Sequence, residues 1–233
     1  MNRLRHDGPL IVGAGLAGLS AALEAARAGA QVLVVTPEPL LNACSSAWAQ
    51  GGMAAALTAV DSAELHARDT EAAGAGLVQP DVARTLTGVG RQTVEWLAAL
   101  GAPFDRDADG GFVVSLEAAH STPRVARVGG DGAGRAILSA VVAAVRAEKR
   151  IQVWDDARLK ALAQDADGRV VGAVIARGPH AKRIEIAATA VVLATGGAGG
   201  LFAATTTPSA LKGEGMALAA LAGADLLDPE FVQ

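Results

Sequence analysis

An α/β fold with a central parallel sheet and an appended antiparallel β-meander is predicted by three features of the sequence. Gly13, Gly15 and Gly18 stand in the order G-x-G-x-x-G directly after the apolar run Leu10-Ile11-Val12. Leu19, Ala22, Leu23 and Ala26 then recur at helical spacing, Gly29 offers a C-cap, and a second apolar run over 31–35 completes a β-α-β unit. Further along, two strand-like segments flank Asp167-Gly168, the dipeptide of a tight hairpin.

The glycine spacing has a physical reason. Gly13 permits the sharp exit from the strand, Gly15 lets a pyrophosphate approach the backbone, and Gly18 lets the helix pack close to the sheet. The helix N-terminus then faces the phosphates. An ordinary packed crossover is the alternative, but the triplet inside a correctly sized β-α-β unit predicts dinucleotide binding by Gly13, Ala14, Gly15, Leu16, Ala17 and Gly18. At the end of the second strand stands Thr36, followed by Pro37, with Glu38 slightly late for the usual acidic partner of a ribose hydroxyl.

Residues 42–59 are rich in Ser, Ala and Gly, and 45–52 read as a loop running into a short helix, suited to lying along an extended cofactor. Trp48 fits a wall of the core equally well. Asp61 with Glu64 predicts a capping box opening a helix to about Ala73. Another helix starts at Pro80-Asp81 and carries Val82, Leu86, Val89, Val94, Trp96 and Leu97 as one apolar stripe closed by Gly101, with Trp96 in the core and Asp69 and Glu71 solvated. Asp105, Asp107 and Asp109 lack the twelve-residue calcium pattern and predict a hairpin tip feeding an extended strand to 116. The glycine cluster 129–134 either contacts phosphate or lets a loop pass beneath the sheet. It precedes a helix over 137–145 and a strand over 151–154. The hairpin over 157–176 and a strand near 183–187 form the meander. Val191-Val192-Leu193-Ala194 is a buried strand released by Thr195-Gly196-Gly197, and the last helix spans 211–221.

Composition narrows the function classes. The chain has 233 residues, 51% of them hydrophobic, and 54 alanines and 28 glycines, which suits a folded body rather than a disordered segment. A net charge of −4 and the absence of tyrosine give no case for nucleic-acid binding. Cys44 is the single cysteine, so no internal disulfide and no thiolate-rich metal site is expected, and a reducing compartment fits. No run approaches 18 apolar residues, and the start lacks a cleavage pattern, so neither a membrane span nor a signal peptide is expected and the reading is cytoplasmic.

The N-terminal fingerprint, the Ser-Ser-Ala-Trp-Ala-Gln-Gly-Gly loop ending at Gly52 and the Ala-Thr-Gly-Gly strand end at 194–197 together resemble the flavin-containing dehydrogenases related to succinate dehydrogenase and fumarate reductase. Within them the chain is most similar to the soluble branch that oxidises L-aspartate. The resemblance implies an FAD-binding domain of Rossmann type over 1–233, with the substrate-capping and helical domains beyond it. The terminal Glu-Phe-Val-Gln resembles the family's entry into the mobile cap.

For the site, the resemblance implies that Ser45, Ser46, Ala49, Gln50, Gly51 and Gly52 lie along the flavin, with Ala194, Thr195, Gly196 and Gly197 near the cofactor's adenine half. The family segment Arg-Glu-Gly-Gly-His-Ser resembles Leu116-Glu117-Ala118-Ala119-His120-Ser121, which nominates Glu117 and His120 on the substrate side. The respiratory members attach FAD through a histidine. This sequence has Ser45 near that place and no histidine over 7–65, so noncovalent FAD is implied. The implied partners are L-aspartate or another small dicarboxylate and a quinolinate synthase, with no nucleic acid and no membrane. Alternatives are a soluble fumarate reductase or succinate dehydrogenase-like flavoprotein, or a non-catalytic FAD-binding fragment. Alone, the chain is expected not to turn over aspartate, because the family's main catalytic arginines and histidines lie beyond the cap boundary.

Overall fold

The computed structural model describes residues 2–42 and 44–232; Gln233 of the terminal motif lies outside them. In chain order the elements are β1 (Asn2–Arg5), β2 (Pro9–Val12), α1 (Leu16–Arg27), β3 (Val32–Val35), α2 (Ser45–Trp48), β4 (Met53–Ala54), α3 (Ala63–Ala73), α4 (Pro80–Gly88) and α5 (Gly90–Ala99). There follow β5 (Val114–Ser115), β6 (Val125–Ala126), α6 (Ala133–Ala147), β7 (Ile151–Trp154), β8 (Ala157–Gln164), β9 (Val170–Arg177), β10 (Lys182–Ala187), β11 (Ala190–Leu193) and α7 (Glu214–Leu221). The chain divides into two compact units, one of residues 1–47 and 141–233 and one of residues 48–140.

The first unit is the α/β body. Its parallel sheet runs β11-β2-β3-β7, and a second sheet runs β1-β10-β9-β8. Alternation along the buried strands assigns the faces. Leu10, Val12, Leu33 and Val35 pack with Trp154, Leu159, Ala173, Ile175 and Ile186 into one core that joins the parallel sheet to the meander. Leu19, Ala22 and Ala26 form the buried stripe of α1. The hairpin closes at Asp167-Gly168, where the Asp165 carboxylate accepts from the N–H groups of Asp167 and Arg169 and Gly168 takes a positive φ. β1 adds to β10 in parallel, a strand that the polar Asn-Arg-Leu-Arg run does not announce.

The second unit holds α3, α4, α5 and the small antiparallel sheet β4-β6-β5. Its core gathers short side chains such as Ala55, Ala67, Ala83 and Ala126 around Val94, Leu97 and Phe104. Phe104 meets Phe112 edge to face at 5.7 Å between centroids. The Asp107 carboxylate accepts from the N–H groups of Asp109 and Gly111, so the acidic alternation is a hairpin tip as expected.

Several local expectations are corrected. The N-cap of α3 is Ser62, whose hydroxyl accepts from Leu65 N at 3.1 Å, because the Asp61 carboxylate is taken by Arg124. The single helix from Pro80 is two helices that meet at Val89. Val82, Leu86 and Val89 are exposed and Trp96 is only half-buried, while Ala83 and Thr87 face inward. Asp69 and Glu71 are ion-paired, to Arg124 and Arg84. The strand at 112–116 shrinks to Val114–Ser115, α6 begins at Ala133 and α7 at Glu214. α2 precedes the Gln-Gly-Gly loop rather than ending it, and Trp48 is exposed. β11 pairs only with β2 among the described residues and is half-exposed, not buried.

Ile175, with no exposed surface, lies where the meander meets the parallel sheet. Ile175→Ala is expected to cost about 2–5 kcal/mol in urea unfolding, whereas Val192→Ala on the half-exposed β11 costs less than about 1 kcal/mol.

Candidate functional site

A cavity of ≈ 270 Å³ opens in the first unit at the carboxyl ends of β2, β3 and β11. β2 lies between β11 and β3, so the chain leaves it towards α1 and β3 on one side and receives β11 on the other. Such a reversal is where open α/β sheets bind ligands. Gly13, Ala14, Gly15, Leu16, Ala17, Thr36, Ser45, Ser46, Ala194, Thr195 and Gly196 all line this cavity.

Close backbone approaches require glycine at 13 and 18. Gly13 has φ +113° and a Cβ there would fall on the carbonyl of Ala194. A Cβ on Gly15 would come 3.3 Å from Ser46 Oγ. Gly18 is buried on the inward side of α1, where a Cβ would collide with the carbonyl of Gly13, so its position serves helix packing. Gly197 is exposed, and its carbonyl accepts from Gly213 N.

The mouth of the cavity is polarised for an anion. Gly15 caps α1 with no side-chain hydrogen bond, which leaves the positive end of the helix dipole open. Ser46 Oγ accepts from Leu16 N at 3.0 Å and brings a hydroxyl to the same turn. Opposite, Arg158 pairs with Glu214 at 3.0 Å, and both line the cavity together with Lys212 and Glu38. Sequence reading passed over 157–159 and 210–215. The available signal was Lys-Gly-Glu-Gly: Gly213 takes φ +72°, and a Cβ on Gly215 would collide with Thr195 Oγ1.

Ala49, Gln50, Gly51, Gly52, Glu117 and His120 belong to the second unit. Ala49 accepts from Gly134 N at 2.9 Å, which ties the loop to the second glycine cluster. The Glu117 carboxylate lies over Gly51, where a Cβ would come 3.3 Å from Oε1. Gly52 has φ +130° and sits against the Ala126 carbonyl.

Beside this loop lies a charge cluster that the sequence did not reveal. The Arg124 side chain is fully buried. Its Nε and Nη2 donate to Asp61 at 3.0 and 2.9 Å, its Nη1 donates to Asp69 at 2.6 Å, and the same Nη1 lies 3.3 Å from His120 Nδ1. Burial works against the cation, yet the two carboxylates raise the Arg124 pKa above its ordinary value. Asp69 also accepts from the Ser121 N–H and hydroxyl, each at 2.8 Å. The Ser121 N–H is the main cause that holds the Asp69 carboxyl at about 2, against burial and with help from the Ser121 hydroxyl and Arg124. His66 is pushed down by burial first, then by the Arg124 charge and His120.

The sheet, the cradle and the open helix end define a dinucleotide-binding α/β protein of the flavoprotein type. The chain belongs to the FAD binding domain family, which matches residues 9–233, and FAD is its cofactor. The residues fit that group: Gly13 and Gly15 open the turn after β2, the N-terminus of α1 faces the cavity, and the Ser46 hydroxyl stands at the same turn.

The chain is 62% identical over 99% of its length to the L-aspartate oxidase of Caulobacter vibrioides, of which it covers 45%. It is 45% identical over 96% of its length to that of Streptomyces coelicolor, covering 39%. It thus spans less than half the length of these curated relatives. Among solved structures it is similar to the Mycobacterium smegmatis Sdh1 complex, with TM-score 0.89, 33% identity and coverage of 96% of this chain and 39% of the other. It is also similar to FrdA of the Escherichia coli quinol fumarate reductase, with TM-score 0.87, 31% identity and coverage of 94% and 37%. No helix among the described residues is long and apolar enough to cross a membrane, and no metal-binding cluster of His, Cys, Asp and Glu occurs among them.

Gly13→Ala is expected to abolish the flavin absorbance of the purified protein, because φ +113° and the Ala194 carbonyl both oppose a side chain. Ser46→Ala, which removes one hydrogen bond, weakens flavin affinity by about 2- to 10-fold in fluorescence titration. Protonation of Asp69 sets a separate acid limit. Its carboxyl is depressed from 3.8 to about 2, so its contribution to stability is complete above pH about 4 and is lost as pH falls towards 2. Asp69→Asn removes that acid limb from a plot of Tm against pH.

Proposed function

We propose that this chain is the FAD-binding part of a flavoenzyme that oxidises L-aspartate to iminoaspartate, with oxygen or fumarate as acceptor, in de novo NAD biosynthesis. The observation that carries the reading is a complete pyrophosphate cradle in a chain with high identity to L-aspartate oxidases over nearly its whole length. FAD, when bound, supplies the electron acceptor for the substrate's C2–H bond.

The chain's own residues bind and orient. Gly13 to Gly18, Thr36, Ser45 and Ser46 hold the nucleotide half, with Gly18 acting through helix packing; Glu38 lines the same cavity. Ala194, Thr195, Gly196 and Gly197 supply bare backbone at the end of β11. Ala49 to Gly52 form the strip that faces the flavin, with the Glu117 carboxylate over Gly51 as the group for the substrate ammonium. Attachment of FAD is noncovalent, since Ser45 offers no imidazole and no histidine occurs over 7–65. The enzyme works in the cytoplasm, in keeping with its lone cysteine. Its imine product is prone to hydrolysis in water, which supports direct delivery to a quinolinate synthase.

A second reading, a soluble fumarate reductase-like or succinate dehydrogenase-like protein, is favoured by the fold similarity to FrdA and the Sdh1 complex. The two readings separate in one anaerobic experiment on the flavin-loaded full-length enzyme of which this chain is the FAD-binding part, since the chain alone is expected not to turn over aspartate. Bleaching of the flavin band by L-aspartate is the expected result. Bleaching by succinate alone selects the second reading, and bleaching by neither makes the chain a flavin carrier. Glu117→Gln is expected to slow aspartate-dependent bleaching by about 10- to 100-fold with the flavin spectrum unchanged, the loss of one hydrogen bond to a charged group.

A further inference from the structure

The hydrogen-bonding directions of the buried cation in the second unit decide the chemistry of the histidine beside it. A guanidinium donates from every nitrogen and accepts from none. Asp61 takes Nε and Nη2 of Arg124, and Asp69 takes Nη1. The same Nη1 lies 3.3 Å from Nδ1 of His120. That approach is attractive only when Nδ1 presents its lone pair. Among the described residues, Arg124 is the side chain hydrogen-bonded to that atom. His66, from α3, meets the ring edge to face with centroids 5.5 Å apart, and Asp69 is turned to the N–H and hydroxyl of Ser121. The Glu117 carbonyl accepts from His120 N in a turn, so the backbone on both sides of the ring is tied.

We infer that Arg124 is a positioning residue that fixes His120 as the Nε2–H tautomer, so that His120 meets a ligand as a hydrogen-bond donor and not as a proton-accepting base. A neutral imidazole carries one proton. With Nδ1 directed at the guanidinium, that proton sits on Nε2, which then has no lone pair with which to accept another. The inference rests on the proposed oxidation of a dicarboxylate amino acid, in which a donor of this kind suits a substrate carboxylate oxygen. Any proton taken from the substrate ammonium goes to another group, and the Glu117 carboxylate stands in the same turn.

The test is the nitrogen spectrum of the flavin-loaded full-length enzyme labelled with 15N-histidine, with the His120 signals assigned through His120→Gln. At neutral ring charge the wild type is expected to show Nδ1 as the unprotonated nitrogen and Nε2 as the protonated one, by about ten to one or better, from a charge-assisted hydrogen bond. Arg124→Gln is expected to lose that preference. A wild-type spectrum with the proton on Nδ1 overturns the inference, and this holds even when Arg124→Gln does not fold. An Arg124→Gln protein that folds and keeps the Nε2–H preference overturns it as well. L-Aspartate is expected to shift the Nε2–H signal, and flavin bleaching without such a shift overturns the donor role. Failure of aspartate to bleach the flavin, with the tautomer as stated, instead counts against the proposed substrate.

Discussion

The first unit depends on a backbone crossing with no room for side chains. At the exit of β2 the chain passes the carbonyl of Ala194 so closely that a Cβ on Gly13 would overlap it, and α1 returns so closely that a Cβ on Gly18 would overlap the carbonyl of Gly13. Three elements therefore converge on a point made only of main chain. The N-cap Gly15 offers no side chain to the first turn of α1, and the Leu16 N–H is taken instead by the Ser46 hydroxyl. The shape of the turn that faces the cavity is thus a by-product of how β2, α1 and β11 are packed. It cannot be tuned at Gly13 or Gly18 without disturbing the sheet.

The second unit solves a different problem. Its sheet is short and alanine is the commonest residue among its buried apolar side chains, so area burial alone positions its loops weakly. A buried Arg124 held by two carboxylates adds direction. Removing one partner from such a buried set costs about 3–5 kcal/mol, although the intact set adds little over an apolar replacement. Its value lies in geometry. Arg124 and Asp69 together hold α3, the Ser121 backbone and the His120 ring in one arrangement.

The difference between the units explains how far the sequence could be read. The β-α-β unit and the hairpin at Asp167-Gly168 are local structures, specified by residues within about thirty positions, and their pattern survives in the string of letters. The glycine turn after β2 was legible for the same reason, and Gly13, Gly15 and Thr36 all line the cavity. Arg124 was not, since its partners lie 55 and 63 residues away and an isolated Asp reads as solvated. The helix break at Val89 was hidden because a 3.6-residue pattern continues across it, although Val82 and Leu86 turn outward. The far wall of the cavity, from Ala157 to Leu159 and Ala210 to Gly215, is assembled from strand and loop segments with no motif of their own apart from two glycines.

The turn at 117–120 shows how the cluster and the local backbone depend on each other. His120 N donates to the Glu117 carbonyl, and Ala119 alone of the two central residues has a positive φ, +68°. That is the signature of a type II turn, whose third position favours glycine. The family segment resembling this one has glycine there, and alanine in that conformation costs about 1–2 kcal/mol. Such strain persists only where the surroundings over-determine the conformation. Here they do, because Asp69 grips Ser121 through two hydrogen bonds and Arg124 meets the adjacent His120, which fixes the C-terminal end of the turn. The loop keeps a glycine conformation without the glycine, and the buried charges that hold it there also hold Glu117 and His120.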